Sequence, residues 1–135
     1  MSDSDLRQAL LGTWRLIGLK PPNLGEIPQG YLVYTPDDRV FVQFATRTKR
    51  SWPGSDVLDM TLHQAIVALG FFAYCGTFEV RDGQVIHHRE FGIFPSLSGN
   101  VETRLVVLDG DRLVLSNSQG TFQNEFQRVR SGEPR

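Results

Sequence analysis

Apolar and polar residues alternate with a period of two along most of this chain, the pattern of strands with one buried face. Trp14 to Lys20 is apolar and ends at Pro21-Pro22. Tyr31–Thr35 and Val40–Ala45 flank Thr35-Pro36-Asp37-Asp38, where proline presets the φ of a turn. Tyr74–Arg81 and Gln84–Phe94 meet across Asp82-Gly83, a strong hairpin signal. Val101–Leu108 and Arg112–Ser116 pair across Asp109-Gly110-Asp111, and Thr121–Val129 follows Asn117-Ser118-Gln119-Gly120. This predicts about eight strands joined mostly by tight turns, which make neighbours antiparallel. Closing such a meander into a barrel removes its exposed edges, and eight strands enclose room for one small ligand.

A period near 3.6 appears twice. Ser4–Leu11, with Leu6, Ala9 and Leu10 on one face, predicts a short N-terminal helix. Thr61 and Gln64 have capping-box spacing, and Leu62, Ile66, Leu69 and Phe72/Ala73 form one stripe. A second helix, from about Leu62 to Ala73, is therefore expected between strands 3 and 4, shielding the barrel mouth. Before it, Thr46–Asp59 reads as an exposed flap carrying Arg47, Lys49, Arg50 and Trp52.

Composition narrows the function. The 135 residues suit one domain, 1–135. Fourteen basic against fifteen acidic residues give a net charge of -1, so no global field draws in nucleic acid or anionic membrane. The start, Met1-Ser2-Asp3-Ser4-Asp5, is polar, and no apolar run reaches the length of a membrane helix. Cys75 is the only cysteine and is expected as a small packed hydrophobe. Together these features predict a cytoplasmic protein. No serine nucleophile elbow, phosphate loop or dinucleotide fingerprint is present. His87 and His88 fall on opposite strand faces and His63 stands apart, so neither a metal site nor a cofactor is expected.

Several segments carry a family resemblance: GTWRL (12–16), GYLVYTPD (30–37), YCGTFEV (74–80), VIHHRE (85–90) and LDGDRLVL (108–115). In this order they resemble the bacterial and fungal lipocalin-like domain family over residues 11 to about 130. The resemblance implies a small all-β barrel, with Arg128 lying across Trp14. It also implies a ligand binder, or a small cyclase or isomerase of natural-product pathways. The chain departs from the family pattern at Cys75, at Arg89 and in the loop FPSLSGN (94–100).

Hairpin pairing assigns faces. A two-residue turn at Asp82-Gly83 sets Val80 opposite Val85 and Phe78 opposite His87. Tyr74, Phe78, Val80, Val85, His87, Arg89 and Phe91 then face inward, while Thr77, Glu79, Ile86, His88 and Glu90 face outward. Arg104 shares a face with Val106, Leu108, Leu113 and Leu115. Leu32, Tyr34, Phe41 and Gln43 are taken as the inner face of their hairpin, with Val33, Val40, Val42 and Phe44 as the competing set. His87, Tyr34 and Arg104 are the candidate catalytic residues. Gln43, Trp52, Phe72, Tyr74, Phe78, Arg89 and Phe91 are the candidate ligand contacts. The expected function is binding of a small apolar or amphipathic molecule by a monomer or homodimer. The chain would act as a cofactor-free cyclase, isomerase or dehydratase, or alternatively as a carrier or sensor without chemistry.

Overall fold

A computed structural model describes residues 1–20, 28–45, 70–93 and 98–131. Helix α1 spans Asp3–Leu10, followed by strands β1 (Gly12–Lys20), β2 (Gln29–Tyr34), β3 (Arg39–Ala45), β4 (Phe71–Arg81), β5 (Gln84–Gly92), β6 (Val101–Asp109), β7 (Arg112–Ser116) and β8 (Gln123–Arg128). Each strand pairs antiparallel with the next, and β8 returns to β1, closing an eight-stranded barrel. The turn chemistry explains this order. Asp82 and Gly83 both take positive φ, the requirement of the turn whose twist matches a hairpin. Gly110 does the same between β6 and β7.

One end of the barrel is sealed by α1. Ser2 and Asp5 form a reciprocal capping box at its start, and Leu6 and Leu10 are buried in the core. Side chains tie the helix to three parts of the barrel. The Asp3 carboxylate accepts from the backbone N–H groups of Asp82 and Gly83, both at 2.9 Å. Arg7 donates to Asp38 and to the Pro36 carbonyl. Arg128 donates to the Ala9 and Leu11 carbonyls, meeting groups that a helix C-terminus leaves unpaired. The same guanidinium lies 4.2 Å from the ring centre of Trp14, whose indole N–H donates to the Leu10 carbonyl. The Trp14–Arg128 pairing expected from the resemblance is therefore present.

Four expectations need correction. First, Phe71, Phe72 and Ala73 are not the end of a helix. They pair in β4 with Ala45, Phe44 and Gln43, because this aromatic stretch continues the two-residue alternation of the strand. The rest of the expected helix and the Thr46–Asp59 flap lie outside the described residues.

Second, Val40 and Val42 point inward with Leu32 and Tyr34, while Phe41 and Gln43 point outward. Asp38 adopts a left-handed φ of 67°, and the extra turn residue sets Tyr34 opposite Val40. Residues of equal parity therefore share a face. Third, Phe91 is 60% exposed. The β4–β5 register shifts between Cys75 and Gly76, which pair with Phe91 and Arg89 respectively, leaving Glu90 as a bulge. Gly76 permits this shift, because a Cβ there would come within 1.9 Å of the His88 carbonyl oxygen. Fourth, Cys75 lies half-exposed between Phe41 and Phe91 rather than in the core.

Trp14→Ala removes a fully buried aromatic and the platform under Arg128. It should lower the free energy of unfolding in urea by about 3–5 kcal/mol. A loss below about 1 kcal/mol would show that this end is closed by other contacts.

Candidate functional site

Inward residues of equal parity meet on the barrel axis, so their size and polarity decide what the interior contains. Towards α1 the interior is packed: Tyr34, Phe78, Val85 and Leu113 are all buried. The ring centres of Tyr34 and Phe78 lie 4.6 Å apart, and Arg7 covers Phe78 from outside at 5.7 Å. At the other end lies a cavity of about 460 Å³, within the ~300–1,000 Å³ usual for small-molecule sites. Its apolar wall comes mainly from Leu32, Val42, Phe44, Phe72, Leu115 and Phe126. Its polar residues are Tyr74 on β4, His87 and Arg89 on β5, Arg104 on β6 and Asn124 on β8.

His87 forms the floor between packed core and cavity. Only 2% of it is exposed. The Tyr34 hydroxyl lies 2.7 Å from Nε2 and the Tyr74 hydroxyl 2.6 Å from Nδ1. A neutral imidazole has one N–H and one lone pair, so one phenol donates to the ring and the other accepts from it. Burial is the main reason the imidazole is driven down to a pKa of about 3, aided by the charges of Arg104, Arg89 and His88. Burial also raises the pKa of Tyr34 and Tyr74. The three groups are thus neutral near pH 7.

Beside this chain, two arginines share one carboxylate. Arg89 Nη2 lies 2.7 Å from one Glu102 oxygen, and Arg104 Nη2 bonds the other. The Arg89 guanidinium also sits 4.5 Å from the ring centre of Tyr74. Arg104 sits 4.9 Å from that of Phe122 and donates to the Thr103 carbonyl. Burial pulls the Arg104 pKa below its ordinary value. Among the described residues, two buried polar atoms of the cavity lining have no hydrogen-bond partner: Arg89 Nε and Asn124 Oδ1.

The structure divides the sequence candidates. His87, Arg104, Tyr74, Arg89 and Phe72 all line the cavity. Tyr34 reaches it only through His87, because it is 1% exposed and lies in the packed half. Phe78 lies beside Tyr34 in that half and is not in the cavity wall. Gln43 and Phe91 are on the outer surface, for the register reasons given above. Trp52 and His63 are outside the described residues. His88 points outward as expected and bonds the Glu79 carboxylate at 2.8 Å. Sequence reasoning missed Glu102, Asn124, Phe44 and Phe126. Alternation already set Glu102 on the face of Arg104, and Asn124 on that of Phe126.

Comparison with known proteins gives a family and a fold. The family described as lipocalin-like domain matches residues 11–132. No curated protein matches the chain. Among solved structures, an uncharacterized protein from Bacteroides eggerthii DSM 20697 is similar, with a TM-score of 0.51 and 10% sequence identity. The alignment covers 89% of this chain and 99% of that one.

The depressed pKa of His87 has a signed consequence. Between its ordinary value of 6.5 and about 3, the unfolded chain takes up a proton that the folded one refuses. Acidification through this window therefore favours unfolding. Wild type should lose on the order of 1 kcal/mol per pH unit between pH 6 and 4 in urea titrations. His87→Gln should flatten that slope, and parallel slopes in the two proteins would contradict a neutral buried imidazole.

Proposed function

The chain belongs to the lipocalin-like domain family, and from that premise we propose that it binds one small, largely apolar molecule inside its barrel. The observation that carries this reading is the one-sided cavity. A continuous aliphatic and aromatic wall faces a few converging polar groups from β4, β5 and β6. Such a wall supplies binding free energy through burial, while the polar groups fix orientation. The half-exposed, unpaired Cys75 fits a reducing, cytoplasmic setting.

The Tyr34–His87–Tyr74 chain favours a second reading, in which the bound molecule is rearranged without a cofactor, as by an isomerase or cyclase. Tyr74 reaches the cavity and is hydrogen-bonded to an imidazole that is itself bonded to Tyr34. In an isomerisation the Tyr74 phenol would give its proton to one atom of the ligand and take one back from another, so that no net proton leaves the chain, while the His87 ring holds the hydroxyl in place. Arg104, close by, would stabilise an enolate or similar developing anion. A carrier would use the same groups only to orient its ligand.

Leu115→Trp fills the cavity, whereas Leu105→Trp adds the same ring on the outer face of β6. The neutral fluorophore N-phenyl-1-naphthylamine should bind wild type and Leu105→Trp alike, and Leu115→Trp at least about tenfold more weakly. Equal affinity for all three would move the ligand out of the barrel. Once native mass spectrometry identifies the co-purifying molecule, turnover separates the two readings. Under the enzyme reading, His87→Ala and Tyr74→Phe should each lose about 10²–10⁴-fold in rate, while His88→Ala stays near wild type. No conversion by wild type would leave the carrier.

A further inference from the structure

We infer that the molecule in the barrel is an amphipathic monoanion, with a carboxylate-type head held by Arg89 and Arg104 and an apolar body on the Phe44–Phe126 wall. The inference rests on the cavity being the ligand site and adds the chemical class of the ligand.

Charge accounting around the polar side is the first argument. Two guanidinium groups face one acid, Glu102, which spends one carboxylate oxygen on each. No Asp or Glu is among the described residues that line the cavity. His87 and its two tyrosines carry no charge near pH 7. Among the described residues, the polar wall is therefore left with one uncompensated positive charge beside an apolar chamber. A charge kept from water is costly unless it is paired, and a ligand with one negative charge would pair it.

Hydrogen bonding is the second argument. Arg89 lines the cavity with its side chain 11% exposed, and its ion pair with Glu102 engages Nη2. Its Nε–H lacks an acceptor among the described residues but is covered by protein atoms, so a ligand would meet the Nη groups. A guanidinium fork suits a planar oxyanion, which accepts two parallel hydrogen bonds. Glu102 ties the two arginines together, so the head meets preorganised donors and little rotamer freedom is lost on binding.

The competing expectation is clear. Transfer from water favours an uncharged head, so a purely apolar cavity would prefer decanol over decanoate. N-phenyl-1-naphthylamine serves as the reporter, displaced by each compound in turn at pH 8. The inference predicts that decanoate displaces it from wild type at about one tenth of the decanol concentration or less, as charge-assisted hydrogen bonds imply. Arg89→Met and Arg104→Met should each bring the two concentrations together or reverse their order, and Glu102→Gln should widen the gap in favour of decanoate. The wild-type ratio decides even if a variant fails to fold. If the reporter binds and decanol displaces it as well as decanoate or better, the anionic head is wrong while the cavity reading stands. If the reporter does not bind wild type at all, both fall together.

Discussion

An imidazole on the axis of a closed apolar barrel must be neutral and hydrogen-bonded at both nitrogens, and the interior of this protein is organised around that requirement. Leaving either ring nitrogen bare there would cost about 1–3 kcal/mol. Tyr34 and Tyr74 meet the requirement from below and above His87. The clamp also sets the boundary of the cavity. Below it, Tyr34 and Phe78 continue into the core under α1; above it, Arg89, Arg104 and the aromatic wall enclose open volume.

The two ends of the barrel differ because closure is confined to one of them. Trp14, Arg128 and the capping contacts of α1 fill the end that holds the tight turns. The space near Arg89 depends on a smaller device. Unbroken alternation along β5 would send Phe91 inward after His87 and Arg89, into the cavity. The bulge at Glu90 turns Phe91 out to solvent. Gly76, with no Cβ to collide with the His88 carbonyl, allows β4 to stay paired across it. A bulge beside a binding site is a common way to re-aim one side chain without breaking the sheet.

Much of this was legible in the residues. The strands, their tight turns and the Val80–Val85 register followed from alternation and from Asp82-Gly83. That register placed His87 inside and His88 outside. Two of the misreadings involve a single added residue. Asp38 in the left-handed region reversed the parity of β3, exchanging Gln43 and Phe41 for Val42 and Phe44. Glu90 in the bulge did the same to Phe91. A one-residue insertion leaves composition and periodicity almost unchanged while moving every later side chain to the other face. Phe71–Ala73 misled differently, since large apolar residues satisfy helical and strand spacing equally over so short a run. The carboxylate joining Arg89 to Arg104 was harder to foresee. It requires knowing that Arg89 and Glu102, thirteen positions apart in the chain, come together across β5 and β6.

His87 is a neutral, doubly hydrogen-bonded floor rather than an ordinary titrating histidine. Nitrogen-15 NMR of the imidazole rings reads this directly. His87 should keep one protonated and one unprotonated nitrogen, both hydrogen-bonded, in a single tautomer from pH 8 down to at least pH 5, while the outward His88 reports separately. Protonation of both His87 nitrogens near pH 6.5, or rapid averaging of the two tautomers, would contradict it.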